Sequence, residues 1–425
     1  MIAVLAAFRE SVYMRDNAKK NAIELSKNGN LVLLSSTGEG ESSSEVLFSG
    51  LQIIAYDGEI LKENDEDRFS GFIEEEFPGC ELFFENDFES DEEESNLKDI
   101  NLNDFIENNA NKSDFSKEIG NNVYDKYPFI PREKCEKERI LRTLALALSR
   151  RITQIHTKNV FLGVSGGLDS TLALLIAVRA YENLKIPFSG INCITMPGFG
   201  TSDRTRNNAW KLGKLFKTGF REIRLDDALI PHFKDIGIDE NDISVAFENA
   251  QARERTQILM DLSNVYGGLV LGTGDMSEIA LGWSTYNGDQ MSMYAVNGCV
   301  PKTLARDLVM YEAGRLSGEI GDVLMDVVNT PVSPELLPPK GEGKAQETEK
   351  IIGPYDLHDF FLYHFLNEGI TPEELFNRAV STFECEWSRQ EILSTMRIFY
   401  SRFFKNQFKR TAMPDGITVW DFSLS

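Results

Sequence analysis

Cysteine and histidine are scarce in this 425-residue chain. The five cysteines, Cys80, Cys135, Cys193, Cys299 and Cys385, are scattered and form no CxxC pair. That spacing excludes a disulfide framework and a zinc site, and it suits a reducing cytoplasm. With four histidines, and His358 and His364 not spaced i,i+4, imidazole chemistry has few parts to work with. No run of eighteen apolar residues occurs and no basic-plus-apolar leader is apparent, so neither membrane insertion nor secretion is expected. Positive charge is also in deficit. Forty-four Lys and Arg against 67 Asp and Glu give a net charge of -23, which argues against nucleic acid or an anionic membrane as partner. A local basic pocket for a nucleotide remains compatible with that balance.

What is present fits a globular chain, 42% apolar with 28 phenylalanines, long enough for two or three domains. Composition divides it into three zones: 1–84, 85–126 and 127–425. The first zone opens with a helical pattern, "NAKKNAIELSKNG". Strand-like stretches follow, "LVLLSS", "EVLFSGLQIIAYDGEILKE" with Asp57-Gly58 as a hairpin turn, and "CELFF". The second zone carries seven acidic residues in the ten of "ENDFESDEEE" and reads as a mobile acidic linker. In the third zone helix and strand alternate. A helix at about 133–156 leads to a strand at 159–164 and a helix at 170–182. The strand "INCITM", a helix from Ser202-Asp203, the strand "FREIRL", a long helix through "ISVAFENAQARERTQILMDLSNVYGG" and the strand "LVLG" complete the series. Such alternation predicts a doubly wound, Rossmann-like parallel α/β sheet, with ligands beyond the carboxyl ends of its strands.

The unusual loops fall at those ends. After the apolar run Val160–Val164 comes Ser165-Gly166-Gly167-Leu168-Asp169-Ser170, opening a helix. Gly166 and Gly167 let the backbone wrap closely, and the helix start offers free N–H groups to an anion. The loop lacks the Gly-Lys-Ser/Thr ending of a Walker A motif and instead holds a carboxylate. A carboxylate beside phosphates is repulsive unless a cation lies between them, so Asp169 implies Mg²⁺ bridging to a pyrophosphate. The long glycine-rich segment 271–309 supplies Glu278 as a second metal ligand and Thr273 as a hydroxyl donor. It also places Asp289 in a polar turn, and Lys302 after Pro301 at a helix start, where it would stabilise negative charge on a transferred group. In "FENAQARER", Asn249 and Arg253 lie one turn apart, as do Gln251 and Arg255.

These residues resemble a known family. SGGLDS after a strand is similar to the pyrophosphate loop of the N-type ATP pyrophosphatases, which share an adenine nucleotide alpha hydrolase-like fold. "GTGDMSEIALGWSTYNGDQMSMYAVNGCVPKTL", "FENAQARERTQILMDLSN" and "FKRTAMPDG" resemble the NAD synthetases, specifically the synthetase half of the glutamine-dependent type, over about residues 127–425. The resemblance implies that ATP adenylates the nicotinate carboxylate of nicotinic acid adenine dinucleotide. Ammonia then displaces AMP, giving NAD⁺. It places Ser165, Gly166, Gly167, Asp169 and Ser170 on the ATP phosphates, Asp169 and Glu278 on Mg²⁺, and Thr273 and Lys302 near the reacting centre. Ser333, in "NTPVSPELLP", falls where ammonia-dependent members carry a phosphate-touching threonine. Asn249, Arg253 and Asp289 would line the dinucleotide site, and Lys409 and Arg410 belong to a tail segment that closes over the substrate. Pairing of two synthetase halves as a homodimer is implied as well. A GMP synthetase of the same fold, which would lack the "GWSTYNGD" and "VPKT" context, and an inactive synthetase-derived partner are the alternative readings.

The N-terminal zone resembles the closing, strand-rich part of a nitrilase-type glutaminase, an α+β segment beyond the family's Glu-Lys-Cys triad. The expectation is therefore that this polypeptide does not hydrolyse glutamine and takes ammonia directly. A fragment of a longer protein, a decayed remnant and a separate glutaminase subunit are three explanations of that half-domain.

Overall fold

Val160–Gly163 (β5) carries no polar side chain. Such a strand must be covered on both faces, which is the environment of the middle of a parallel sheet. In the computed structural model, which describes residues 1–36, 45–64, 73, 124–239, 242, 244–331 and 348–424, β5 lies at the centre of a five-stranded sheet. The others are Ile191–Thr195 (β6), Gly219–Glu222 (β7), Leu269–Gly272 (β8) and Tyr294–Ala295 (β9), in the order β7-β6-β5-β8-β9. Every pairing is parallel, with Val160 opposite both Ile191 and Leu269. Phe161, Ile194 and Val270 share one face and pack against Leu229 and Phe233 of the helix Asp226–Asp235, and against Phe247 and Leu259 of the helix Val245–Tyr266. Alternation turns Val160 and Leu162 the other way. There the helix Leu168–Leu184, buried from Ser170 to Tyr181, packs on β5 and on the helix Lys134–Gln154.

The strand order places the site. From β5 the chain steps outward through β6 to β7, then returns to lay β8 against the other edge of β5. β5 and β8 therefore flank the switch point, where the loops beyond the two strands diverge and leave a crevice.

The sequence-derived elements are found with small shifts. The helix expected at 133–156 is Lys134–Gln154, and Ser202 caps Asp203–Leu215 by accepting from the Thr205 amide. "FREIRL" keeps only its first half as strand. Leu225 turns off the sheet, its amide reaching the Pro197 carbonyl at 3.4 Å, and the helix Asp226–Asp235 begins there. Pro231 inside that helix hides it from propensity. Beyond 302 the alternation ends in helices, among them Lys302–Leu316, Gly318–Val328, Tyr355–Tyr363, Pro372–Phe383 and Arg389–Lys405.

Two compact units divide the chain as far as the described residues reach. One takes Met1–Phe8, Tyr13–Glu39 and Ser49–Tyr124, the other Arg9–Val12, Gly40–Phe48 and Asp125–Ser425. The first holds a four-stranded mixed sheet, Ile2–Ala6 (β1), Leu31–Ser36 (β2), Gln52–Tyr56 (β3) and Glu59–Glu63 (β4), covered by the helix Met14–Ser26. The hairpin turn between β3 and β4 is at Asp57-Gly58, both with positive φ (48° and 85°). β1 pairs parallel with β2 and was not expected from the sequence. "CELFF" and most of the acidic stretch 85–126 lie outside the described residues. Among the described residues no helix is long and apolar enough to cross a membrane.

Candidate active site

Beyond β5 the glycine loop folds onto itself. Gly166 has φ +84°, and a Cβ there would stand 2.0 Å from the Thr205 carbonyl oxygen, so only glycine lets the loop pass the helix Asp203–Leu215 this closely. The Ser165 hydroxyl accepts from the Gly167 amide at 3.1 Å and lies 3.1 Å from the Ser170 hydroxyl. Gly167 is the N-cap of Leu168–Leu184, which leaves the first-turn amides of Leu168, Asp169 and Ser170 without intrahelical acceptors, facing the crevice end.

Beyond β8, Asp275 caps the short helix Met276–Leu281, its Oδ1 accepting from the Glu278 amide at 2.8 Å. Its second oxygen, Oδ2, lies 2.7 Å from Nζ of Lys302. The same ammonium meets Asp169 Oδ2 at 2.8 Å and Glu278 Oε1 at 3.0 Å. Lys302 opens its helix, where the helix dipole disfavours a cation, and it is almost wholly buried. The three carboxylates more than offset both costs. Burial alone would lower the ammonium's pKa, but Asp169, Asp275 and Glu278 together hold it well above its usual value. Acid outnumbers base in this cage, and the excess shows. Burial, with Asp169 adding and Lys302 opposing, pushes the Glu278 carboxyl up to about 7. The ring of Tyr355 stands 5.2 Å from the same ammonium.

Sequence reasoning missed two members of this constellation. Asp275 is not singled out by the sequence; it caps a helix, and only the fold reveals its second oxygen on Lys302. Buried Asn297 donates from Nδ2 to the carbonyls of Asp169 at 2.8 Å and Thr273 at 3.2 Å, so it ties the β5 loop to the β8 loop. No local pattern marks it.

Asp169, Asp275 and Glu278 can each offer an oxygen within 4.8 Å of the others. Asp169 Oδ1 is buried with no hydrogen-bond partner. Hard carboxylate oxygens, two of them (Asp169 Oδ1 and Asp275 Oδ2) without a hydrogen bond, in a cluster with surplus negative charge, suit Mg²⁺.

The residues expected at the dinucleotide form a second group. Thr285 donates its hydroxyl to Asn249 Oδ1 and its amide to Asp289 Oδ1, each at 2.7 Å. Arg253 Nε reaches the Tyr286 carbonyl at 3.4 Å, with the rest of its side chain exposed. Lys409 donates to the carbonyls of Gly282 at 2.8 Å and Ser284 at 2.6 Å. Asn249, Arg253 and Lys409 thus converge on the loop 282–290, which Asp289 braces from within. Gln251 and Arg255, on another side of the same helix, hold the loop after β6 instead: Gln251 accepts from the Phe199 amide, and Arg255 donates to the Met196 carbonyl.

Arg410 does not join this group. It is buried, and its guanidinium donates to the carbonyls of Ala280 and Phe403 and to Gln407 Oε1. These contacts make it a brace between the C-terminal segment and the helix Met276–Leu281. Ser333 lies outside the described residues.

Comparison with known proteins adds to this geometry. The model of the NAD synthase family matches residues 140–412. The chain is similar to the glutamine-dependent NAD(+) synthetase of Mycobacterium leprae, 38% identical over 323 residues, which cover 69% of this chain and 48% of the relative. It is also similar to that of Synechocystis, 28% identical over 293 residues, covering 67% and 47%. It therefore spans about half the length of the curated relatives it matches. Among solved structures, a glutamine-dependent NAD(+) synthetase from Cytophaga hutchinsonii matches with a TM-score of 0.72 and 16% identity, over 99% of this chain and 66% of that one. One from Acinetobacter baumannii in complex with ADP matches at 0.54 and 20%, over 100% and 66%. At such identities these two matches speak for the fold.

Proposed function

This chain belongs to the NAD synthase family, and on that premise we propose that it amidates nicotinic acid adenine dinucleotide to NAD⁺ with ATP, releasing AMP and pyrophosphate. The observation that carries the reading is the buried Lys302 ammonium caged by Asp169, Asp275 and Glu278, beside a glycine loop at the switch point of the sheet.

In the first step an oxygen of the nicotinate carboxylate attacks the α-phosphorus of ATP. The bond to the bridging oxygen breaks, and pyrophosphate leaves. Both reactants are anionic, so the step needs charge neutralisation and alignment more than proton transfer. Ser165, Gly166, Gly167 and Ser170 would cradle the phosphates with hydroxyls and helix-start amides, and Thr273, in the loop after β8, would offer its hydroxyl near the reacting centre. Asp169 and Glu278, with Asp275 behind them, would hold a Mg²⁺ ion that neutralises phosphate charge. Lys302, fixed by the same carboxylates, contributes a permanent positive charge beside the leaving group. In the second step the nitrogen of ammonia attacks the acyl carbon and loses a proton, and AMP departs with the former carboxylate oxygen. Asn249, Arg253, Asp289 and Lys409 would shape the dinucleotide site through the loop 282–290.

Ammonia is the proposed direct nitrogen donor. Burial raises the thiols of Cys193 and Cys299 to about 11 and about 12, which makes both poor nucleophiles for a glutaminase. A separate glutaminase would be the route to glutamine. Pairing of two synthetase units and a cytoplasmic setting, consistent with the dispersed cysteines, belong to the same proposal.

The acyl-adenylate step is tested by labelling the nicotinate carboxylate with ¹⁸O. One label per turnover should appear in the phosphate of AMP. NAD⁺ formed with unlabelled AMP would rule that intermediate out.

A further inference from the structure

Asp359 is fully buried in the helix Tyr355–Tyr363, and nothing in the proposed chemistry uses it. Its partners lie 82 and 56 residues away in sequence. Oδ1 accepts from the Ser277 hydroxyl, and Oδ2 accepts from the Thr303 amide at 2.8 Å. Ser277 Oγ in turn accepts from the Lys302 amide at 2.8 Å. One carboxylate thus ties the first turn of Met276–Leu281 to the first two residues of Lys302–Leu316. The residues beside these anchor points are Glu278 and Lys302, whose side chains meet at 3.0 Å.

A buried carboxylate is costly unless its hydrogen bonds are made, and here it sits at helix starts, where free amides and the dipole favour a negative charge. Few other side chains could join two separate helix starts by accepting on two oxygens at once. We infer that Asp359 is a positioning residue. It touches no reacting atom, but it holds Lys302 and Glu278 in register with Asp169 by fixing one helix start against the other. Without it the hydroxyl of Ser277 and the amide of Thr303 lose their shared acceptor, and the cage can drift by the fraction of an ångström that catalysis does not tolerate.

This inference rests on the proposed synthetase reaction, so its test has an arm that does not need turnover. Asp359→Ala and Ser277→Ala are compared with the unaltered chain in NAD⁺ formation from ammonia and in Mn²⁺ affinity by calorimetric titration. The Asp359 variant should lose at least about tenfold in kcat and about tenfold in Mn²⁺ affinity, the range usual for groups that orient metal ligands. KM for the dinucleotide should stay within about threefold, because the loop 282–290 is untouched. Ser277→Ala should move the same quantities the same way by less, and it carries the test if Asp359→Ala does not fold. A merely structural role would lower the melting temperature and leave kcat and Mn²⁺ affinity of the folded protein unchanged; either of them remaining within about twofold overturns the inference. If the unaltered chain makes no NAD⁺, the synthetase reading fails, and the Mn²⁺ titration alone decides the register claim.

Discussion

Nζ of Lys302 and Oδ2 of Asp275 lie 2.7 Å apart, with their side chains 1% and 0% exposed. The pair joins the start of one helix to the cap of another, so a single buried contact fixes a cation against the acidic side of the crevice. Replacing the lysine should therefore cost both folding and chemistry. Lys302→Met leaves three carboxylates facing one another. A loss of about 3–5 kcal/mol is expected in urea unfolding at pH 7. Lys302→Met/Asp275→Asn should recover part of that loss, because the second change removes one of the uncompensated charges.

Asp169→Asn replaces one carboxylate oxygen by an amide nitrogen and removes the negative charge while keeping the side chain's size. Mn²⁺ affinity should fall at least about tenfold and NAD⁺ formation more steeply, with the melting temperature little changed. Unchanged Mn²⁺ affinity would remove Asp169 from the metal site.

Gly166→Ala meets two obstacles, a positive φ and the Thr205 carbonyl 2.0 Å from the new Cβ. Gly267 has φ +68° and nothing within 4 Å. Gly267→Ala should cost about 1 kcal/mol of backbone strain. Gly166→Ala should cost more than that and raise KM for ATP, since the loop must back away from its neighbour. Equal costs in urea unfolding would show that the close approach does not matter.

His358 supplies a pH-dependent term. Its Nε2 is 2.8 Å from the Ile352 carbonyl, and burial lowers its pKa from 6.5 to about 4. The folded protein thus holds the ring neutral, while the unfolded chain protonates it near 6.5. The stabilisation is complete above about pH 6.5 and is lost as the pH falls toward 4. At about 1.4 kcal/mol per pH unit the loss amounts to about 3 kcal/mol. In His358→Gln, the fall in unfolding free energy between pH 6.5 and 4 should be smaller by about that amount, measured as the difference from the unaltered chain.

Much of this site is visible in the sequence because strand-helix alternation announces where loops must carry ligands. Asp169, Glu278 and Lys302 stand in such loops, and the argument that a carboxylate near phosphate needs a cation requires no structure. What the sequence hides is partnership across long separations. Lys302 and Asp169 lie 133 positions apart, and nothing local says that the lysine's charge is already spoken for by three acids. Asp275 and Asn297 carry no local mark of the partners that the fold gives them. Arg410 shows a role that the sequence did not announce. A basic residue in a polar tail reads as a surface or substrate contact, whereas burial against the carbonyls of Ala280 and Phe403 makes it a brace. β1 escaped notice because a short edge strand has little pattern of its own; its Leu5 is largely exposed.

The most direct measurement is NAD⁺ formation by the purified chain from ATP, Mg²⁺ and nicotinic acid adenine dinucleotide, with ammonia or glutamine as nitrogen source. The account predicts NAD⁺ with ammonia, accompanied by equal amounts of AMP and pyrophosphate, and none with glutamine. A folded sample that forms no NAD⁺ from ammonia would contradict it.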